Sequence, residues 1–243
     1  MENEMTAEGK DLLPDASNYD DKKYKNPSVT VDICVCRFVN KKVEVLLIKR
    51  KFPPFQDMWA IPGGFVNVDA KENLRTTAER ELKEETNVSG VFIEQLKTYG
   101  EPERDPRKRI ITVAYFALVP VKMLETQDIK ADDDAKEYGW FPLKELPELA
   151  FDHGTILKDL FERLAGKVSY CPLAFELLGE DFTWTELQDV YEYLLEKELT
   201  VPNFRRKIKS MYKILESDAQ KSNSVGRPAG VLKYCGVNIE SEF

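Results

Sequence analysis

The sequence predicts an α/β protein: an α/β/α sandwich built on a mixed sheet, followed by a small winged helix-turn-helix domain. Three features carry that expectation. Four β-branched, strongly apolar stretches (28–38, 43–49, 91–100 and 110–119) flank one charged amphipathic helix, and further helices follow. After Pro172 the pattern changes to short helices, the second of them basic, ahead of one last β-prone segment. With 243 residues, 42% hydrophobic and 32% charged, the chain has material for one large or two modest cores.

Taken in order, residues 1–26 are polar, of mixed charge and without a signal-peptide apolar region, so a loosely docked tail is expected. Strand 28–38 turns at 40–42 into its hairpin partner 43–49. The segment 50–58, with two prolines, is a loop, and a short strand at 59–61 feeds a turn at Gly63-Gly64. Helix 72–86 shows an apolar stripe of Leu74, Ala78 and Leu82, and Asn87 takes the left-handed position where a helix stops. Strands 91–100 and 110–119 enclose a proline-containing loop at 99–109. The acidic stretch 127–138 reads as surface loop, 137–143 as a short strand packing Trp140, and 149–164 as a helix with Asp152 as its N-cap. These elements form a first domain at 27–165, a linker at 166–178 and a second domain at 179–243.

Bulk chemistry narrows the function. No apolar run approaches the ~20 residues of a membrane span. The four cysteines lack a metal-ligand spacing, and Cys34 and Cys36 alternate inside an apolar strand, so buried reduced thiols of a cytoplasmic protein are expected. A net charge of -8 argues against blanket nucleic-acid affinity and leaves room for a local basic patch.

The chemistry concentrates on helix 72–86. Glu81, Glu84 and Glu85 stand at i, i+3 and i+4, where like charges repel by a few tenths of a kcal/mol per pair. A solvated helix face would tolerate them; a bound cation would neutralise them, and oxygen-only ligation fits Mg²⁺ or Mn²⁺. Arg80 is spaced to pair with Glu84. Glu72, Arg80, Glu81, Leu82, Glu84, Glu85 and Val88 resemble the Nudix box, G-x5-E-x7-R-E-U-x-E-E-x-G-U with U aliphatic. Gly64 lies two residues too far upstream, and Asn87 replaces the late glycine. The resemblance implies Mg²⁺-dependent (or Mn²⁺-dependent) hydrolysis of a nucleoside diphosphate linked to another moiety. It makes Arg80, Glu81, Glu84 and Glu85 catalytic and the three glutamates metal ligands.

Substrate contacts are expected around that helix. Loop 99–109 carries Arg104 and Arg107, whose forked guanidinium groups suit bidentate phosphate contact; a solvated hairpin tip is the alternative. Arg104-Asp105-Pro106-Arg107 is similar to the R-D-P-R-G hairpin of ADP-ribose-type Nudix proteins, with Lys108 in place of the glycine. Gly63 and Gly64 border the phosphates, and Trp59 stacks on an adenine or packs in the core. The Phe151-Asp152-His153 string also occurs in those proteins, and a lone histidine is more often structural than catalytic.

In the second domain Thr183 and Glu186 form a capping box, and helix 185–195 buries Leu187, Val190, Tyr191 and Leu194. Pro202 starts a helix expected to run to 215, with Phe204, Ile208, Met211 and Leu215 inward. Residues 172–243 hold nine Lys/Arg against twelve Asp/Glu, yet five cations and no anion lie between 203 and 213. Cations sorted onto one element are an electrostatic footprint for DNA. Asn203, Arg205, Arg206, Lys207 and Lys209 are the expected contacts, and Arg227 extends them from the wing. Phe182 to Tyr234 resembles the winged half of Nudix-related transcriptional regulators of NrtR type. That resemblance implies a homodimer on a double-stranded operator with an ADP-ribose-like nucleotide or sugar phosphate as effector. Two functions therefore stand side by side, an ADP-ribose pyrophosphatase whose second domain only dimerises and an effector-sensing repressor. The retained Arg80, Glu81, Glu84 and Glu85 favour hydrolysis, the lengthened loop after Gly64, the basic helix and the wing favour regulation, and a protein that does both is expected.

Overall fold

The computed structural model describes residues 23, 25–125, 135–221 and 229–238. A seven-stranded mixed sheet runs β3 (Trp59–Ala60), β2 (Lys42–Arg50), β1 (Ser28–Val39), β6 (Ile110–Leu118), β5 (Phe92–Tyr99); β4 (Gly63–Phe65) also pairs with β1 and β7 (Ala135–Pro142) with β2. The β1–β6 pair is parallel and the other pairs are antiparallel. Gly63-Gly64 is thus strand, not the turn expected from its glycines. The acidic stretch is overturned in part: 135–138 belong to β7, and 126–134 lie outside the described residues.

Strand periodicity divides the core. Val31, Ile33 and Val35 of β1 face one side of the sheet, against Ala78 and Leu82 of α1 (Leu74–Thr86) and Leu124 of α2 (Val121–Glu125). Cys34, Cys36 and Phe38 face the other, against Ile156, Leu157, Leu160 and Leu164 of α3 (His153–Val168) and Leu173, Ala174, Phe175 and Leu177 of α4 (Leu173–Leu178). This alternation, period two on β-strands, makes the three-layer sandwich. Both strand cysteines are free and buried, and burial pushes the Cys36 thiol up to about 12. The stretch 166–178, expected to be a linker, instead holds the end of α3 and the buried α4.

The second apolar layer runs without a break into the C-terminal half. Leu187, Val190 and Leu194 of α5 (Trp184–Leu195), Phe204 and Ile208 of α6 (Val201–Met211) and Tyr212 share that core. Thr183 and Glu186 close the capping box at the start of α5. Across the junction Tyr193 donates to the Val43 carbonyl at 3.2 Å, and Lys41 pairs with Asp189 at 3.0 Å. The wing is the antiparallel pair β8 (Tyr212–Lys221) and β9 (Ala229–Val237). Here α6 ends four residues earlier than its stripe predicts. Buried Tyr212 is extended and packs on Phe175 and Tyr234, and Leu215, expected inward, is exposed on β8.

Candidate active site and nucleic-acid interface

A cavity of about 400 Å³ opens where β1, β4, α1, the β5–β6 loop and the start of α3 converge. Asn73 caps α1 by accepting from the Thr76 N–H, and Asn87 ends it at φ 56°, the left-handed geometry expected of it. Glu72 stands just before the helix rather than in it. The extra residues upstream are absorbed by a tight turn in which Asn67 accepts from the Ala70 and Glu72 N–H groups. That turn brings Glu72 back to Arg80.

Arg80 is the hub of the acidic cluster. Its guanidinium lies 2.9 Å from Glu72, 2.8 Å from Glu81 and 2.7 Å from Glu84. Burial alone would lower its pKa, but the three carboxylates outweigh burial and raise it; its hydrogen bond holds Glu72 below the usual carboxylate range. A protein cation thus supplies part of the compensation that the sequence assigns to a metal. Four carboxylates against one guanidinium still leave three negative charges. Glu81, Glu84 and Glu85 all line the cavity; Glu81 and Glu85 are 7% and 6% exposed, whereas the Glu84 side chain is 46% exposed. Among the described residues no three His, Cys, Asp or Glu side chains converge tightly enough to hold a metal alone. An oxygen-only pair of buried carboxylates beside a cavity nevertheless fits Mg²⁺ or Mn²⁺, which take further oxygens from water and phosphate. Gly64 makes the arrangement possible, since a Cβ there would lie 2.3 Å from Glu81 Oε1.

The opposite wall is cationic and aromatic. Arg104 is buried and held by Asp152 through two bonds of 2.9 and 2.7 Å. Asp152 therefore does not cap α3, contrary to the sequence expectation: its carboxylate is committed to Arg104. Arg107 pairs with Asp105 at 2.7 Å and lies 5.9 and 5.7 Å from the Phe65 and Phe151 ring centroids. Burial would raise the Asp105 pKa, but the hydrogen bonds from Arg107 hold it down. The His153 Nδ1 accepts from the Ile61 N–H at 2.8 Å, placing the proton of the neutral ring on Nε2. Burial keeps that ring neutral, pushing its pKa down against the pull of Asp32 and Asp152.

Of the expected substrate residues, Gly63, Gly64, Arg104 and Arg107 line the cavity. Trp59 does not: its ring packs edge-on against Phe141 at 4.7 Å, the packing alternative already open for it. Sequence reasoning missed Asp32, Arg50, Phe65 and Phe151 as cavity residues. Their strands and loops were legible, but nothing in local spacing says that four distant segments meet.

The profile of the NUDIX domain matches residues 27–162, more than half of the chain. The chain belongs to the NUDIX family. Behind its NUDIX domain, residues 174–233 match the NrtR DNA-binding winged helix domain. The chain is 34% identical over 229 residues to the ADPR responsive transcriptional repressor NtrR of Acinetobacter baylyi, covering 93% of this chain and 90% of that protein. It is 41% identical over 136 residues to the ADP-ribose pyrophosphatase of Methanocaldococcus jannaschii, covering 56% of this chain and 74% of that one. Its fold is similar to Shewanella oneidensis NrtR in complex with a 27mer DNA, with TM-score 0.74, 34% identity and coverage of 85% and 93%.

In the winged domain α6 buries only Phe204 and Ile208. Asn203, Arg205, Arg206, Lys207 and Lys209 are all exposed. Arg205 and Lys209 lie 5.2 and 5.6 Å from the Trp184 ring centroid, and Asn203 accepts from Arg206 at 3.2 Å. Lys213 belongs to β8 rather than to this helix, and Arg227 lies outside the described residues. Among the described residues no helix is long and apolar enough to cross a membrane.

Proposed function

We propose that this NUDIX protein hydrolyses ADP-ribose to AMP and ribose 5-phosphate, and binds operator DNA as a homodimer whose grip depends on the same nucleotide. One observation carries the reading: one chain holds a cavity whose buried glutamates face arginines and, on its winged domain, an exposed basic helix, and α3, whose first residue lines that cavity, packs in the same apolar layer as α5 and α6. The relatives named above, one ADPR responsive and one an ADP-ribose pyrophosphatase, support the choice of nucleotide.

Glu81 and Glu85 would hold Mg²⁺ or Mn²⁺, which supplies charge neutralisation and a nucleophile from water. The chain's own groups do the rest. Arg80 orients Glu81 and Glu84, while Gly64 leaves room for the Glu81 carboxylate. Arg107, half exposed beside the cavity, takes a phosphate oxygen. Phe65, 46% exposed at the cavity wall, replaces Trp59 as the ring on which a base stacks.

A second reading, a repressor that senses without hydrolysis, is favoured by the inward ties of Arg80 to Glu81 and Glu84, which already spend part of the acidic charge. AMP release with Mg²⁺ and ADP-ribose, run beside a gel shift on duplex DNA selected by the protein, separates the two. Release plus a shift supports the dual function, a shift alone the sensor, and neither removes both.

A further inference from the structure

Two of the exposed cations of α6 converge on a ring from another helix. Arg205 and Lys209 stand one helical turn apart, and their charged ends lie over the same indole, 5.2 and 5.6 Å from the centroid of the Trp184 ring. Like charges at that spacing repel, so cations carried only for solubility would splay apart rather than meet. Trp184 is the first residue of α5, half-buried, directly after the Thr183 of the capping box. Its ring meets buried Phe204 of α6 edge-on at 6.5 Å and packs against the large apolar layer. The indole is thus fixed by packing while cations lie over it, and tryptophan is the ring that attracts them best. Lys209 also meets Glu216 at 3.4 Å, an exposed pair of little strength, which leaves the ring as its firmer anchor.

We propose that Trp184 is a positioning residue of the DNA interface, holding Arg205 and Lys209 side by side for neighbouring phosphates of one DNA strand. Long cationic side chains lose freedom when they settle on DNA, and a ring that orders them beforehand removes part of that cost. Phosphate contacts fix register and affinity but carry no sequence information, so the ring raises affinity for every duplex alike. It acts through the two cations and reads no base itself. The role rests on the reading that the winged domain grips operator DNA. It adds the residue, on a second helix, that sets how the basic helix presents its charge.

Two substitutions separate the aromatic face from the packing. Trp184→Phe keeps both in smaller form, whereas Trp184→Leu keeps an apolar contact with Phe204 and has no face for a cation. In full-length protein, fluorescence anisotropy gives the affinity for a duplex selected by the parent and for a scrambled duplex of the same length. Trp184→Leu should bind both about tenfold more weakly, the equivalent of two exposed cation–π contacts, and Trp184→Phe should stay within about threefold of the parent. A leucine variant within about twofold of the parent overturns the role, and so does equal weakening by both variants, which would make the ring mere packing. A loss confined to the selected duplex also overturns it, because the ring would then serve base reading. The double-substitution cycle is sharper: Arg205→Ala should cost several-fold less in Trp184→Leu than in the parent, and equal costs in the two backgrounds overturn the coupling. Should the leucine variant fail to fold, Arg205→Ala and Lys209→Ala carry the test, since each should shrink the salt slope by about 1, and an unchanged slope for either overturns the phosphate pair. A parent that binds neither duplex removes the proposed DNA binding itself, a failure visible before any variant is made.

Discussion

A side-chain carbon on Gly64 would lie 2.3 Å from Oε1 of Glu81, whereas one on Gly63 would lie 2.3 Å from the Val31 carbonyl and 2.8 Å from the Asp32 Cα. The neighbouring glycines therefore guard different things. Gly64→Ala displaces a carboxylate at the end of a flexible side chain, so the fold survives and the site does not. Gly63→Ala strikes backbone that cannot yield, at about 1–3 kcal/mol, the range for overpacking. AMP release and urea midpoints on both variants check this: Gly64→Ala should lose activity at near-parental stability, and Gly63→Ala should lose stability.

The acids are not equivalent either. All three glutamates line the cavity, but Glu81 and Glu85 are buried and Glu84 is half-exposed; Arg80 ties Glu81 at 2.8 Å and Glu84 at 2.7 Å. Glu81→Gln and Glu85→Gln should each lower Mg²⁺-dependent hydrolysis about 10²–10³-fold, the equivalent of several kcal/mol of lost charge stabilisation. Glu84→Gln should cost less, because Arg80 keeps Glu72 and Glu81 as partners. Steady-state rates at saturating Mg²⁺ decide the ranking, and a Glu84 variant as dead as the other two would reverse it.

Local chemistry explains what was legible beforehand. Helix α1 announces itself through Leu74, Ala78 and Leu82 and stops at Asn87, and the capping box of α5 is written in Thr183 and Glu186; each depends on residues within one or two turns. The end of α6 is misread because Leu215 keeps helical spacing while strand pairing with β9 and the burial of Tyr212 decide against the helix. Asp152 looks like a cap because it stands at the start of α3; Arg104, brought from the β5–β6 loop, takes its carboxylate instead. Asp32 has nothing in its own strand to mark it, and only the cavity shows its neighbours. What sequence hides here is the meeting of distant segments.

The basic helix makes its own prediction. Arg205 and Arg206 are exposed on α6, one stacked near Trp184 and one bonded to Asn203. Replacing both by alanine should weaken DNA binding on every sequence tested. If each arginine neutralises one phosphate, the slope of log affinity against log salt should shrink by about 2. Anisotropy titrations at several salt concentrations read both quantities. An unchanged slope with unchanged affinity would move the DNA contact off this face.

Acid sensitivity should trace to His153. Its ring is buried and accepts from the Ile61 N–H through Nδ1, and burial lowers its pKa from the ordinary 6.5. Below pH 6.5 the unfolded chain therefore binds a proton that the folded chain refuses, so folding is undisturbed above that pH and loses stability as pH falls through it. The loss should approach about 1.4 kcal/mol per pH unit for this single site. Glu176 acts in the opposite sense, because its burial raises a carboxyl pKa, but it is common to parent and variant. His153→Gln cannot take up that proton. Urea midpoints between pH 7.5 and 5.5 should fall more steeply for the parent than for His153→Gln, even if the variant starts less stable, and parallel slopes would mean that the imidazole is already free to titrate in the folded protein.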